Sequence, residues 1–240
     1  MKEYFYDLHM HSCLSPCGDM DMTPANLVGM AALKGLDVIA LTDHNAALNC
    51  RAAIKCGEAM GVLVIPGMEL TTCEEVHVVC LFPDVQSAEE FGREVYAALP
   101  DIKNRTDIFG EQVIMDEDDA RRGTLDKLLI NATSIPVNEV GLRAAQYGGA
   151  AFPAHIDKPS NGIIGVLGAI PPEAGFASAE ISGNCVRETF LPQHPETDGL
   201  FLLSDSDAHY LWQINERINS FELPELTPKA VIDRILRRKK

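Results

Sequence analysis

The 240-residue sequence lacks the cysteine patterns that would indicate disulfides or a zinc ribbon. Its seven cysteines are odd in number and irregularly spaced, and no CxxC pair occurs among them. We therefore expect most of them to be buried as small hydrophobic side chains. The sequence also has no tract rich in Gly, Pro or Ser, which predicts an ordered chain except at its basic C-terminus.

No segment has the length and hydrophobicity of a membrane span, because the apolar runs fall short of roughly 18 residues. The opening residues MKEYFYDLHMHS contain neither a basic region followed by an apolar one nor a small-residue cleavage site. These absences predict a cytoplasmic protein with no membrane partner.

Positive charge is scarce, with 20 Lys and Arg against 35 Asp and Glu and a formal net charge of -15. Such a field repels polyanions and offers few cations to a phosphate backbone. We therefore expect no long nucleic acid partner. A small anionic substrate stays compatible with this charge, because divalent cations in a pocket would reverse the local sign.

Short β-rich runs alternate with helical stretches, which predicts an α/β fold with parallel strands and crossover connections. The predicted strands cover residues 4–8, 37–42, 62–66, 76–82, 150–154, 177–181 and 200–203. The predicted helices cover residues 24–34, 46–60, 89–99, 124–130, 137–147 and 227–238. No glycine fingerprint for a dinucleotide follows the first strand. About seven strands and one core predict a single barrel domain over residues 1–240, with a helical insertion at about 83–149.

Six of the seven histidines and three acidic residues lie at or just after the ends of predicted strands. They are His9, His11, His44, His77, His155 and His209, with Asp43, Glu69 and Asp207. In a parallel α/β barrel these ends open onto one face, where active sites are built. Each histidine alone is better explained as a hydrogen-bonded core or surface residue, but their joint placement argues against that explanation.

The residue types in this set suit metal binding. His9 and His11 are two residues apart in an extended segment, so both rings can reach one metal. Glu69 can bridge two cations through its two oxygens, and neutral imidazoles suit zinc, manganese and iron alike. We therefore expect two or three divalent metal ions of these kinds.

Five short motifs make the pattern more specific: YDLHMHS at 6–12, LTDHN at 41–45, GME at 67–69, PAH at 153–155 and SDAH at 206–209. In order and spacing they resemble the motifs of the PHP family, named for polymerase and histidinol phosphatase, over about residues 4–210. The resemblance implies a distorted barrel of seven β/α units with a trinuclear metal centre at its C-terminal face.

The resemblance also implies a ligand set for each metal. The first would be held by His9, His11, Glu69 and Asp207, the second by Glu69, His77 and His155, and the third by His44, His209 and a first-loop residue. Many relatives have an Asp or His five to seven residues after the second histidine, where this chain has Pro16, Cys17 and Gly18. Asp19 is the expected first-loop ligand and Cys17 the alternative.

A metal-dependent phosphoric ester hydrolase follows from this resemblance, with a metal-bridging hydroxide attacking phosphorus in line. His209 or His44 could assist proton transfer when not engaged as a ligand, and Asp43 could orient a ligand. Lys158, Ser160 and Arg187 lie near the predicted barrel mouth and are candidates for phosphate binding. An ordinary solvated loop position explains each of these three equally well.

The expected substrate is a small phosphorylated metabolite or a nucleotide. One alternative is an exonuclease acting on short oligonucleotides, and another is a non-catalytic module that metals stabilise. Amidohydrolase chemistry is a minor option, because no lysine at a strand end is suited to carry a bridging carbamate. The sequence leaves the oligomeric state open.

Overall fold

The computed structural model describes residues 1–237, and a six-stranded mixed sheet is its largest element. The strands are β1 (Lys2–Asp7), β2 (Val38–Leu41), β3 (Leu63–Thr71), β4 (His77–Leu81), β5 (Val113–Met115), β6 (Arg121–Thr124), β7 (Ala150–Pro153), β8 (Ser178–Glu180), β9 (Phe201–Leu203) and β10 (Ser220–Leu223). The helices are α1 (Pro24–Leu33), α2 (Cys50–Met60), α3 (Val85–Ala98), α4 (Thr106–Phe109), α5 (Val137–Gln146), α6 (Ile163–Leu167), α7 (Arg187–Phe190) and α8 (Pro228–Ile235). The end of the last predicted helix at 238, and the basic C-terminus for which order is not expected, lie outside the described residues.

The large sheet has the strand order β10-β1-β2-β3-β4-β7. Strands β1, β2 and β3 pair in parallel, whereas β4 is antiparallel to both β3 and β7, and β10 is antiparallel to β1. The prediction of parallel pairing throughout is therefore wrong. The connection from β3 to β4 is too short for a crossover and closes as a turn, in which the Thr72 amide donates to the Val76 carbonyl at 2.9 Å.

Backbone hydrogen bonds continue the sheet into a ring. Strands β8 and β9 form a separate parallel pair. The Ile156 amide donates to the Glu180 carbonyl at 2.8 Å, which joins the end of β7 to β8. The His11 amide donates to the Ala208 carbonyl at 2.9 Å, which joins the segment after β1 to the segment after β9. Strands β1 to β4 and β7 to β9 thus form the wall of a distorted barrel, and β10 lies outside this ring.

Successive residues of the barrel strands pack into two different cores, as a strand's alternating side chains require. In β2, Val38 and Ala40 belong to a core that α8 closes, whereas Ile39 and Leu41 belong to the core shared with α1, α2, α3 and α5. Val231, Ile232 and Ile235 of α8 pack in the first of these cores.

Polar side chains start three helices by accepting from a backbone amide in the first turn. Thr23 caps α1 by accepting from Asn26, Asp84 caps α3 by accepting from Ser87, and Thr227 caps α8 by accepting from Ala230. Gly61 ends α2 with φ of 76°. Among residues 1–237, no helix combines the length and hydrophobicity needed to cross a bilayer.

The segment at 83–149 contains α3, α4, the β5–β6 hairpin and α5. The helix predicted at 124–130 is absent, because a buried Gln112 side chain takes the place of helical hydrogen bonds. Its amide nitrogen donates to the carbonyls of Leu125 and Lys127 at 2.9 and 2.8 Å, and its oxygen accepts from the Leu129 amide at 2.9 Å. The insertion is therefore part helix and part hairpin.

Candidate metal centre

Histidine and carboxylate side chains from six strands or their ends meet at one end of the barrel. His9 and His11 follow β1, His44 follows β2, and Glu69 lies near the end of β3. His77 is the first residue of β4, and because β4 is antiparallel to β3 its start lies at the same barrel end, opposite Thr71. His155, Asp207 and His209 follow β7 and β9 and complete the set.

The Glu69 carboxylate is the centre of the cluster, with only 1% of its surface exposed. Its Oε1 lies 2.8 Å from His77 Nδ1, 3.2 Å from His9 Nε2 and 3.2 Å from His155 Nε2. Its Oε2 lies 3.1 Å from His44 Nδ1 and 3.3 Å from His11 Nε2. A carboxylate surrounded in this way can contact more than one cation.

Three overlapping groups of donor atoms have the proximity that a metal ion requires, since the atoms of each group lie within 4.8 Å of one another. The groups are His9, His11, Glu69 and Asp207; His44, Glu69 and His77; and His11, His44 and His209. With His155 beside Glu69, the structure brings together eight of the nine expected ligands. The remaining one is Asp19.

The hydrogen bonding of these atoms fits a metal centre. His44 Nδ1, His77 Nδ1 and Glu69 Oε2 are buried, yet none makes a hydrogen bond, although the nitrogens lie close to the carboxylate. Unpaired buried polar atoms each cost about 1–3 kcal/mol. Buried donor atoms that face one another without a hydrogen bond are ones that a common cation would satisfy, so the residues fit divalent metals.

The two carboxylates of the cluster are held in the ionised form that binds metal. Burial alone would raise the pKa of Glu69, but His77 and His9 outweigh it and hold that pKa well below its usual range. Burial opposes ionisation of Asp207 too, and His9 and His11 again hold its pKa below the ordinary value.

Two imidazoles are held in the neutral form, which is also the form that binds metal. Burial, together with the nearby His11, lowers the pKa of His44 to about 3. The same two causes lower the pKa of His209 to about 4.

Carboxylates behind the cluster hold the histidines in place. Glu180 Oε2 lies 2.7 Å from His9 Nδ1, and its Oε1 accepts from the His155 amide at 3.2 Å. The Asp43 carboxylate accepts from Ser12 and Ser15, and the Ser15 hydroxyl lies 3.0 Å from His11 Nδ1. The Asp43 carboxylate therefore reaches the His11 ring through Ser15. Such outer contacts orient metal ligands.

Three residues at or beside the cluster have a strained backbone. His155, Asp207 and Asn45 have φ of 29°, 52° and 49°, in the left-handed region that residues other than glycine rarely adopt. Strain of this kind costs about 1–3 kcal/mol per residue and is typical of functional sites. Asn45 is held by its own side chain, whose oxygen accepts from the Thr71 amide at 3.0 Å.

The first loop differs from the expectation for Asp19. The Asp19 carboxylate turns back on its own loop and accepts from the Asp21 amide at 2.8 Å, and it belongs to none of the three donor groups. A tight turn, in which the Gly18 amide donates to the Ser15 carbonyl at 2.9 Å, points Cys17 toward the cluster instead. Cys17 Sγ lies 3.0 Å from His209 Nε2.

A polar cleft of about 500 Å³ adjoins the cluster and is lined by His155, Lys158, Glu180, Asp207 and Trp212 among others. The Lys158 ammonium lies 2.7 Å from Asp207 Oδ2. Ser160 and Arg187 are exposed and do not line this cleft, so the structure does not bring them to the cluster.

Sequence reasoning missed Glu180, although a detectable signal existed. Glu180 is a carboxylate near the end of the strand predicted at 177–181, which is the position that marked the other site residues. Trp212 carried no such signal, because it follows no strand directly.

Comparisons with known proteins agree with this geometry. The family model described as PHP domain matches residues 7–127. The chain is 35% identical over 79 residues to a 5'-3' exoribonuclease of Haemophilus influenzae, a match that covers 32% of this chain and 28% of that relative.

Two solved structures share the fold. One is endonuclease Q in complex with a 27-mer duplex carrying an abasic lesion at the active site, with a TM-score of 0.70, 17% identity, and coverage of 99% of this chain and 57% of that chain. The other is a protein of Bifidobacterium adolescentis described as a metal-dependent phosphoesterase, with a TM-score of 0.60, 20% identity, and coverage of 97% and 96%. The chain thus spans little more than half of the endonuclease.

The chain belongs to the PHP domain family, since the family model covers half of it. The predicted fold class, an α/β distorted (β/α)7 barrel, is confirmed by the shared fold. Membership of this family agrees with the predicted class of metal-dependent phosphoric ester hydrolase.

The expectation of a small phosphorylated substrate and no long nucleic acid is wrong. The same fold binds a 27-mer duplex in endonuclease Q, and the curated relative is an exoribonuclease. The overall charge misled because it is a sum over the whole chain and does not give the field at any one place on the surface. The local field of a metal-binding cleft is a separate quantity.

Proposed function

We propose that this chain is a metal-dependent phosphodiesterase that cleaves nucleic acid strands. The observation that carries the proposal is the set of unpaired donor atoms around Glu69, which adjoins an open cleft containing Lys158. Nucleic acid is favoured as the substrate because the exoribonuclease relative and endonuclease Q both act on it.

The three donor groups are the proposed ligand sets for two or three divalent cations, with His155 joining the group of His44, Glu69 and His77. Zinc, manganese and iron all suit these donors. Such cations would neutralise charge on the phosphoryl oxygens and make water a stronger nucleophile. The chain's own part is to hold the donors in position through Glu180 and Asp43.

The proposed roles of Lys158, His209 and Asp43 follow from where each side chain lies. Lys158 binds a phosphoryl oxygen of the substrate, because its ammonium lies in the cleft beside Asp207. We assign proton transfer to His209 rather than His44, since the His209 side chain is 21% exposed and that of His44 only 6%. His209 can do so only while its ring nitrogen is free of metal. Asp43 is a positioning residue.

The test combines metal analysis with hydrolysis of labelled single-stranded and duplex oligonucleotides, mononucleotides and phosphomonoesters. We expect two or three metals per chain and cleavage of oligonucleotides. Glu69→Ala should slow cleavage by at least about a hundredfold, because loss of even an outer contact to a ligand costs about 10–100-fold. Glu58→Ala, an exposed change on α2, should behave as wild type.

Two outcomes would contradict the proposal. Hydrolysis of phosphomonoesters, while oligonucleotides stay uncleaved, would indicate a phosphoesterase that acts on a different substrate. Full metal loading without turnover of any phosphate ester would indicate a structural or binding role for the centre.

A further inference from the structure

Two aromatic side chains near the cluster are exposed to solvent in a chain with only 6% aromatic residues. Trp212, the one tryptophan of the sequence, is 73% exposed, and Tyr210 is 44% exposed. Their rings stack with centroids 6.0 Å apart and planes 25° from parallel. Neither the barrel core nor the donor groups use this pair, which we name the aromatic platform.

Trp212 places one ring of the aromatic platform at the cleft beside the candidate ligands. Trp212 lines the same cleft as Lys158 and Asp207, so one molecule can contact the indole and the donor cluster together. Tyr210 directly follows His209, a member of the third donor group.

The backbone that carries the aromatic platform is held in place without a ligand. Both rings belong to a short 3-10 turn, in which Tyr210 precedes Leu211–Gln213. The Gln213 side-chain oxygen accepts from the His209 and Tyr210 amides at 2.8 and 3.1 Å. On the other side, the Lys34 ammonium donates to the Trp212 carbonyl at 3.5 Å and to that of Ile214. The backbone that carries both rings is therefore ordered before a ligand binds, which lowers the entropy cost of binding.

The chemistry of the cleft indicates what would lie on these rings. Glu180, Asp205 and Asp207 line the cleft, and Lys158 is the one lysine or arginine among its described lining residues. A strand bound there gains little from contacts between its other phosphates and basic side chains. Stacking of a base on an aromatic ring is the alternative source of affinity, and it tolerates any base.

We propose that the aromatic platform of Tyr210 and Trp212 stacks a nucleobase of the strand whose phosphodiester lies at the donor cluster. This inference rests on the proposed function and specifies its substrate. A base inside a duplex has both faces stacked on its neighbours, so the base bound here is unpaired. The preferred substrate is therefore a single strand or an unpaired end, with no preference for one base.

The kinetic test compares two esters with the same 4-nitrophenol leaving group, thymidine 5'-(4-nitrophenyl phosphate) and methyl 4-nitrophenyl phosphate. The measured quantity is the ratio of kcat/KM for the ester with a base to kcat/KM for the ester without one. Trp212→Ala should lower this ratio about tenfold, as expected for loss of one stacking contact, and Trp212→Phe should restore most of it. Leu142→Ala, which removes a 71% exposed side chain from α5, is the matched control.

A general structural defect would lower both kcat/KM values and leave their ratio unchanged. An unchanged ratio in Trp212→Ala, with both esters hydrolysed, would overturn the aromatic platform while the proposed function stands.

A binding test avoids turnover altogether, because Trp212 is the one source of tryptophan fluorescence in the chain. Titration of metal-loaded wild type with a phosphorothioate oligothymidylate should quench this fluorescence to saturation. An abasic tetrahydrofuran oligomer of equal length should quench it much less. Equal quenching by both, or none by either, would overturn the aromatic platform. Base-dependent quenching in a protein that cleaves no oligonucleotide would support the platform and overturn the proposed function.

Discussion

At the scale of single residues, Glu180 shows how much of the centre depends on side chains that are not ligands. It is fully buried at the end of β8, and it contacts the ring of His9 with one oxygen and the amide of His155 with the other. A carboxylate behind an imidazole fixes the ring's orientation and raises its basicity as a ligand. Glu180 therefore helps to position two candidate ligands, His9 and His155, which follow different strands.

Glu180→Gln should weaken metal binding and activity together by about 10–100-fold, because the amide keeps the shape but not the charge facing His9. The measurement is a competition titration against a chromophoric chelator, followed by the cleavage assay on the same samples. Glu225→Gln, an exposed change remote from the cleft, is the control. Unchanged metal affinity in Glu180→Gln would show that His9 needs no carboxylate partner.

Cys17 is the other residue whose role the local geometry changes. Its sulfur faces His209, whereas the Asp19 carboxylate is engaged within its own loop. A thiolate favours zinc and other borderline or soft cations more strongly than an aspartate does. We therefore predict that Cys17, and not Asp19, completes the third position.

Loading with Co²⁺ tests this prediction, since a thiolate ligand gives a charge-transfer band in the near ultraviolet. Cys17→Ser should remove the band and lower the metal content, while Asp19→Asn should keep both. Cys73→Ser, a change at another exposed cysteine, controls for adventitious thiol binding. A band that survives in Cys17→Ser and disappears in Asp19→Asn would reverse the assignment.

At the scale of secondary structure elements, the short turn between β3 and β4 decides how the site is assembled. It reverses the chain so that Thr71 pairs with His77, and this pairing places His77 at the same barrel end as Glu69. A crossover connection would have started β4 at the opposite end of the barrel. The antiparallel strand is thus what adds His77 to the cluster.

Helix α3 opens the insertion, and Asp84 caps it by accepting from the Ser87 amide at 2.9 Å. Asp84→Ala should lower the free energy of unfolding by about 1 kcal/mol, because the first turn loses its acceptor. Urea denaturation measures the change. Asp84→Asn keeps an acceptor and should stay within a few tenths of a kcal/mol of wild type. An equal loss of unfolding free energy in both variants would mean that the charge of Asp84, and not its capping hydrogen bond, stabilises the helix.

At the scale of the whole molecule, buried carboxylates are concentrated at one end of the barrel. Asp43, Glu69, Glu180 and Asp205 are each at most 2% exposed there. Burial, with Glu180 and Asp7 nearby, raises the pKa of Asp205 well above its usual range. Bound cations would offset this accumulation of negative charge, so metal binding and folding are coupled.

Chelation of the metals should therefore lower the thermal midpoint of wild type by several degrees, and reloading should restore it. Saturation at a hundred times Kd is equivalent to about 2.7 kcal/mol of stabilisation. Calorimetry with and without chelator provides the measurement. The thermal midpoint of Glu69→Ala should change much less on chelation, because this variant already lacks the central metal ligand. Identical midpoints for wild type with and without metal would rule out this coupling.

We further propose that residues 1–240 form one PHP-type domain, with the insertion at about 83–149 folded onto the barrel. Hydrogen bonds from Asn45 in the barrel to the Leu129 and Asn131 carbonyls in the insertion support this proposal. It predicts a single cooperative unfolding transition in calorimetry. Two resolved transitions, or early proteolytic release of the insertion, would contradict it.

The sequence by itself determined the seven barrel strands and the identity of the clustered histidines, but not the β5–β6 hairpin or β10. Barrel ligands follow strand ends, so a periodic pattern and a residue type were enough to find His9, His44 and His155. Tertiary structure alone decided the antiparallel β4, the turn of Cys17 toward His209, and the exposure of Trp212. Tertiary contacts also removed the helix predicted at 124–130, where the Gln112 side chain accepts from the Leu129 amide. No local propensity encodes the direction of a side chain in an irregular loop.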